Sequence, residues 1–403
     1  MKFIHFADAH LDSPFRGLSF LPSKEFNQIY QAADQSLTNI VDLALKENVD
    51  LVLIAGDTFD SNTPSPRAQL FFAQQIKRLT DKNIQVVMIF GNHDHMKQED
   101  LLVNSSPYFK LLGNEEKVEK VSFKTKTGFE YDVAGFSYLN NHITHDMLQF
   151  FPEKNQNYIF GLMHAQVKDL AKNDYAPFTI RDMQNLNYDY FALGHIHARN
   201  NLSEQPLIVY PGNIQGRHIN EMGEKGCYLG EVDEDTHKTS LKFMPTAPIL
   251  WQNAQIDLNK EIGKNLLQTK IVSALTATKK AYFSLKINGA QFLTEEEKEL
   301  VQDSDFWQTI SQNLLFDSQL VDVRFEVNES LELNDNDQAA FKQAKNEIFA
   351  SDEFDQIVND WKKKDMLAAN LAEEPNFVNE VKQLAEVKLM SKLKGISNEA
   401  ETD

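Results

Sequence analysis

Five short apolar runs along the chain end in the same way. Phe3-Ile4-His5-Phe6-Ala7 runs into Asp8-Ala9-His10, and Leu51-Val52-Leu53-Ile54-Ala55 into Gly56-Asp57-Thr58-Phe59-Asp60. Ile84–Phe90 runs into Gly91-Asn92-His93-Asp94, Tyr158–Met163 into His164, and Tyr190–Leu193 into Gly194-His195-Ile196-His197. The runs are continuous rather than alternating and rich in β-branched residues, the pattern of strands buried on both faces. Between the first three lie amphipathic stretches. One predicts a helix from about Lys24 to Lys46, N-capped by Ser23, with Phe26, Tyr30, Ala33, Leu37, Ile40 and Ala44 as its apolar stripe. The other opens at Ser65-Pro66, with Leu70, Ala73, Ile76 and Leu79 facing inward. This β-α-β-α-β alternation predicts a parallel sheet with right-handed crossovers. In open α/β sheets ligands sit beyond the carboxyl ends of the strands. Five such ends carrying Asp, Asn and His would converge on one pocket.

Further along, the pattern predicts a helix over Asp100–Leu112 and a strand pair, Val118–Phe123 with Phe129–Phe136, around Thr127-Gly128. Ile208–Tyr210 and Gly226–Val232 read as strands, which places the end of a first domain, 1–250, before Trp251. Residues 251–330 read as a small α/β domain: strands Trp251–Leu258, Ala281–Ile287 and Leu320–Val327, and helices Lys260–Thr276 and Thr294–Leu315. Residues 331–403 read as helical and heavily charged, with a frayed end over Ser397–Asp403. Phe354, Ile357, Val358 and Trp361 share one helical face there. Phe377, Val378, Val381, Leu384, Ala385 and Leu389 share another. Such faces pack on each other or dock on a partner.

Charge and composition narrow the function. A net charge of −19 excludes a generic polycation that coats nucleic acid. It leaves DNA binding open where bound metal and a local basic patch reverse the field. The single cysteine, Cys227, allows no internal disulfide and no thiolate metal site, and fits a reducing compartment. The first apolar run is interrupted by His5 and stopped by Asp8, unlike a signal peptide. No run approaches the ~20 apolar residues of a membrane helix. The expectation is a cytoplasmic protein without a membrane partner.

The strand-end residues suit a hard-to-borderline divalent ion such as Mn, Fe or Zn. Asp8, His10, Asp57, Asn92, His164, His195 and His197 make seven candidate ligands, enough for two ions that share one carboxylate. Such a pair clamps a phosphoryl group and lowers the pKa of a bound water towards ~7. His93 is left over as an acid or a contact to the transition state, with Asp94 to hold its ring. Asp60 reads either as a catalytic group or as a cap or ligand orienter. Arg16, Arg199, Arg217 and His218 sit in or near motif loops, where they reach substrate phosphates or remain solvated charge. His5 reads as a core residue, His95 as an exposed loop histidine, and Lys362-Lys363-Lys364 as a solvated helix face.

As a set, Asp8-x-His10, Gly56-Asp57-x-x-Asp60, Gly91-Asn92-His93-Asp94, the lone His164 and Gly194-His195-x-His197 resemble the calcineurin-like metallophosphoesterase superfamily. Their order and spacing are similar to those of DNA-repair exonucleases of the SbcD type. The loop Asp8–Gly17 and the stretch Pro211–His218 resemble the bacterial YhaO branch. The resemblance covers the first 250 residues well. It implies an α/β fold: a metallophosphoesterase sheet core with helices, a small α/β capping domain and a C-terminal helical segment. It implies one metal on Asp8, His10, Asp57 and His197, a second on Asp57, Asn92, His164 and His195, and catalysis by His93 with Asp60 and Asp94 beside it. It implies phosphate contacts from Arg16, Arg217 and His218. Mn is the usual metal, with Fe, Zn or Mg as the others to consider. Archaeal and eukaryotic relatives carry a second catalytic histidine where this chain has Asp60, as bacterial relatives tend to, so assistance to the leaving oxygen differs. The implied activity is metal-dependent hydrolysis of DNA phosphodiesters, exonucleolytic with some endonuclease activity. The implied partner is a coiled-coil ABC-type ATPase of the SbcC/YhaN kind, bound by the C-terminal helices; the family also often forms homodimers. The rival reading is a small-molecule or protein phosphoesterase with the same dinuclear centre.

Overall fold

Continuous apolar runs need cover on both faces, and the chain supplies it with two sheets laid against each other and helices or loops outside. The computed structural model describes residues 1–168, 174–326, 335–349 and 351–364, with 372, 377, 378, 381, 382 and 385. They divide into two compact units: residues 1–256 with 263–286 and 296–324, and residues 257–262 with 287–295 and 325–403.

In the first unit, one sheet is built on β1 (Lys2–Phe6), β2 (Leu51–Ala55), β3 (Gln85–Ile89) and β4 (Phe109–Leu111), all parallel. The other is built on β5 (Glu119–Lys124), β6 (Glu130–Gly135), β7 (Tyr158–His164), β8 (Tyr190–Gly194), β9 (Asn200–Glu204) and β10 (Leu207–Tyr210). Two later strands, β11 (Gly226–Val232) and β12 (Thr239–Pro245), extend the first sheet antiparallel beyond β1. The strand orders are β12-β11-β1-β2-β3-β4 and β5-β6-β7-β8-β10-β9. In the second sheet β6, β7, β8 and β10 are parallel, and the edge strands β5 and β9 are antiparallel.

Side chains alternate along each strand, so every run serves two cores. Phe3, Leu53 and Val87 meet Tyr131, Phe160 and Tyr190 between the sheets. Ile4, Val52 and Val86 pack outward with α2 (Ala32–Glu47) and α3 (Pro66–Thr80). Ile159, Phe191 and Ile208 pack outward with Tyr138, Phe178 and Met183, the last from α4 (Ile180–Asn185). A third, three-stranded sheet, β13 (Leu250–Asp257), β14 (Ala281–Asn288) and β15 (Gln319–Glu326), has its strand bodies in the first unit. Trp251 and Tyr282 from it join Leu18, Leu21 and Ile29 in one core.

Several expectations are corrected. The first three site-bearing strands form the expected parallel sheet, and the other two lie in a second sheet that covers its inner face in place of helices. The stretch Lys24–Lys46 is two helices, α1 (Ser23–Tyr30) and α2, broken at Gln31, and Ser23 lies inside α1 without capping it. The break adjoins Tyr30, whose hydroxyl donates to Asp12 Oδ1 at 2.6 Å. Ser65 does cap α3, accepting from the Ala68 N–H at 3.2 Å, but Leu70 is 61% exposed and Phe72 and Gln75 are buried instead. Asp100–Leu112 is not a helix; it contains the edge strand β4 and follows a turn at Gln98–Asp100. Pro107 explains this, since the residue before a proline is driven to extended backbone. The stretch Thr294–Leu315 breaks at Asp303, which caps α7 (Ser304–Ser311) after α6 (Glu295–Gln302). The preceding helix, α5, is confined to Lys264–Ala274.

In the second unit, α8 (Asp335–Phe349) precedes α9 (Asp352–Lys362), which carries the first of the two apolar faces. Phe349 meets Phe354 at 5.4 Å, and Trp361 meets Phe377 at 6.2 Å. Leu384, Leu389 and Ser397–Asp403 lie outside the described residues. No helix among the described residues is long and apolar enough to cross a membrane.

Candidate metal centre

The site lies beyond the carboxyl ends of β1, β2 and β3 on one sheet and β7 and β8 on the other. The chain leaves these strands through backbone that ordinary residues avoid: φ is +52° at Asp8, +43° at His10, +51° at Asp57 and +98° at His195. Each such residue costs about 1–3 kcal/mol unless its surroundings hold it. A short ladder between the exit loops holds them: Asp8 N–H donates to the Gly56 carbonyl at 3.1 Å, His10 N–H to that of Asp57 at 3.0 Å, and Leu11 N–H to that of Thr58 at 2.9 Å. Gly91 is required for close approach, since a Cβ there would sit 2.2 Å from Asp57 Oδ1.

All seven expected ligands meet here. Asp8, His10, Asp57, Asn92 and His164 are buried, and His195 and His197 are half-buried. His164 Nε2 lies 2.9 Å from Asn92 Oδ1 and 3.3 Å from Asp57 Oδ2. His195 Nδ1 lies 3.2 Å from the same Asn92 oxygen. His10 Nε2 lies 3.0 Å from His197 Nε2 and 3.6 Å from Asp57 Oδ2. Asp57 is thus shared by both sides. Its Oδ1 also accepts from the His93 N–H at 2.9 Å, and Asp8 accepts from the His195 N–H at 3.0 Å.

The electrostatics are those of charges collected without enough counter-charge. Burial raises the Asp8 carboxyl above its usual range. Burial raises Asp94 too, and with the neighbouring Asp57 charge brings it to about 7. Burial opposes ionisation of Asp57 as well, but His164, His10 and His93 hold it well below the ordinary value. Burial also disfavours charge on His164, yet Asp57 and Asp8 pull it up to about 9. His10 and His195 fall to about 3, through burial first and then through Arg217 and His164 respectively. Three overlapping groups, Asp8-His10-His197, His10-Asp60-His93 and Asp8-Asp57-His164, each bring their ligand atoms within 4.8 Å of one another. Nitrogen lone pairs and carboxylate oxygens that face one space at this separation suit a divalent cation.

The other expected residues divide. His93 is exposed at the mouth of the site, with Nδ1 3.2 Å from the Asp60 carbonyl. That contact, rather than Asp94, orients its ring. Asp94 instead ties the loops together, accepting from Gly91 N–H at 2.6 Å and Thr58 N–H at 2.7 Å. Asp60 Oδ1 lies 3.3 Å from His10 Nδ1 and accepts from Arg217 Nη2. His218 Nε2 lies 3.3 Å from Glu221. The Arg16 side chain lies outside what is described. Glu221 was not legible beforehand. It is buried, and its Oε1 lies 2.5 Å from His197 Nδ1 while Oε2 accepts from Asn213 Nδ2 at 2.6 Å. Tyr175, whose ring lies 4.4 Å from that of His195, was also missed. The only signal for Glu221 was its place three residues beyond the Pro211–His218 motif.

Residues 1–199 match the calcineurin-like phosphoesterase family. These residues belong to that family. Over 269 residues it is 37% identical to the uncharacterized metallophosphoesterase YhaO of Bacillus subtilis strain 168, covering 66% of this chain and 65% of the relative. Over 249 residues it is 26% identical to the DNA double-strand break repair protein Mre11 of Saccharolobus solfataricus, covering 58% of this chain and 61% of the relative. The matches thus span a little under two thirds of these relatives' length. The matched family is one of phosphoesterases, and the Asp and His clusters are residues that could hold a metal ion.

Proposed function

We propose that this metallophosphoesterase hydrolyses phosphodiester bonds in DNA, as an exonuclease with some endonuclease activity. The observation that carries the hydrolytic reading is the convergence of five strand ends on groups of ligand atoms within 4.8 Å, with His93 exposed at the mouth. The relatives named as double-strand break repair proteins support DNA as the substrate. In this reading Asp8, His10, Asp57 and His197 hold one ion, and Asp57, Asn92, His164 and His195 hold the other. Two such ions would polarise the phosphoryl oxygens and lower the pKa of a bound water. His93 has Nδ1 committed to the Asp60 carbonyl, which leaves Nε2 as the atom that moves a proton. Asp94 holds the loop that presents His93. His218 and Arg16 are the phosphate contacts. Residues 251–330 act as a cap, and the helices that follow bind a coiled-coil ABC-type ATPase.

The test is the purified chain with Mn²⁺, on linear and closed-circular duplex DNA, a bis-aryl phosphodiester and an aryl phosphomonoester. DNA and diester should be cleaved and the monoester spared. Hydrolysis of the monoester alone would give the site to a phosphatase. Adding the ATPase and ATP should raise cleavage of duplex DNA, and an unchanged rate would remove the partner.

A further inference from the structure

Three of the site's histidines have a partner behind the ring, and the partners are of two kinds. His10 and His197 face each other through Nε2 at 3.0 Å, so their Nδ1 atoms point away from the centre. Behind His10 stands Asp60, with Oδ1 3.3 Å from Nδ1, an ion-pair distance without the alignment of a hydrogen bond. Behind His197 stands Glu221, with Oε1 2.5 Å from Nδ1. One residue ties these two carboxylates together. Arg217 donates from Nη2 to Asp60 Oδ1 and from its backbone N–H to Glu221 Oε2 at 2.6 Å. Ser13 Oγ adds a bond to Asp60 at 3.2 Å, and Asn213 Nδ2 adds one to Glu221 at 2.6 Å. His164 is backed differently. Its Nδ1 donates to a neutral group, the Ala55 carbonyl, at 2.9 Å, with Asp8 Oδ1 farther off at 3.9 Å.

A carboxylate behind an imidazole accepts a hydrogen bond from Nδ1–H, fixes the lone pair on Nε2 and makes it a stronger donor to a metal. A backbone carbonyl fixes the tautomer without supplying the charge. Arg217 and Lys225, whose Nζ donates to the His197 carbonyl at 2.8 Å, set two cations against these two carboxylates, so the halves differ in what stands behind the rings and not in net charge.

We propose that Asp60, Arg217 and Glu221 form one brace that presents His10 and His197 to a divalent ion through Nε2, and that this makes their half of the centre the tighter half. The centre then fills in two steps. This rests on the dinuclear reading of the site and not on DNA as its substrate. Asp60 and Arg217 are positioning residues in this account, because each is committed to the other and to the ligands rather than to the leaving oxygen or a phosphate.

The experiment uses the full chain, stripped with a chelator and titrated with Mn²⁺, with free Mn²⁺ read by electron paramagnetic resonance. Wild type should show two dissociation constants. Glu221→Gln and Asp60→Asn should each weaken the tighter one by ~10–100-fold and leave the weaker one unchanged. Two backgrounds assign the constants. Asn92→Ala removes the oxygen shared by His164 and His195, so only the tight site remains and adding Glu221→Gln should still weaken it. In His10→Ala only the weak site remains, and Glu221→Gln should add nothing. Circular dichroism and melting of the metal-free variants verify the fold; Asp60→Asn, which keeps size and shape, serves if Glu221→Gln does not fold. Equal weakening of both constants, no weakening in folded variants, or two equal constants in wild type overturns the brace. One ion per wild-type chain overturns the dinuclear reading with it. Two ions bound without DNA cleavage removes only the nuclease.

Discussion

The bodies and the ends of the same strands obey opposite rules, and two histidines display the difference. His5 and His164 are both fully buried. His5 sits in the body of β1, where Nε2 donates to the Leu193 carbonyl at 3.1 Å and Nδ1 accepts from the Tyr190 hydroxyl at 2.8 Å. Burial takes it down to about 3, so it stays neutral. His164 closes β7 at the same depth, yet Asp57 and Asp8 outweigh burial and bring it to about 9. Depth alone therefore does not set the chemistry; the neighbours do. In the bodies, buried polar groups meet neutral partners and the fold gains stability. At the ends, carboxylates, imidazoles and left-handed backbone are gathered at a cost, which a bound cation would offset.

The sharpest cut at the ends is Asp57→Ala. It should release both ions and take phosphodiester hydrolysis to background, with the far-ultraviolet circular dichroism of the metal-free chain unchanged. Elemental analysis that still finds two ions would mean Asp57 is not the shared ligand. His93→Ala should retain both ions and lose turnover by ~10²–10⁴, the usual cost of one acid/base group; a matching fall in metal content would make His93 a ligand instead.

A cut in the bodies should reverse this pattern. Phe160 is fully buried and packs edge-on against Phe3 at 5.0 Å. Phe160→Ala should cost about 3–5 kcal/mol in urea unfolding while the folded protein binds both ions as before. Activity lost beyond the unfolded fraction would show that bodies and ends are not separable.

The smallest effect concerns acid. The folded His5 pKa, about 3, lies below the ordinary 6.5, so the unfolded chain takes up this proton first as pH falls. The contribution is intact above pH 6.5 and is lost progressively towards pH 3. Between pH 7 and 5, chelator-treated wild type should lose about 2 kcal/mol more stability than His5→Gln. Equal acid slopes in urea melts would mean that His5 is already charged in the fold.

Local pattern was enough for the strands and for the polar residues that gather at their ends. A buried strand needs a continuous apolar run, and a metal ligand needs Asp, Asn or His at its exit; both are written in adjacent residues. Local pattern misled where the outcome depends on what lies opposite. Leu70 fits the α3 stripe by spacing, but Phe72 and Gln75 occupy the face that α2 and the first sheet cover. Asp94 follows His93 directly, yet its carboxylate turns to Thr58 and Gly91.

By itself the sequence determined the five strands, the Asp, Asn and His residues at their ends and the family they point to. Only the tertiary structure decided that those strands form two sheets, that Asp57 stands between His10 and His164, and that Glu221 and Asp60 back two of the histidines. The physical reason is distance along the chain. Glu221 and His197 lie 24 residues apart and Arg217 and Asp60 lie 157 apart, and no periodicity links positions that only the packing of two sheets brings within a hydrogen bond.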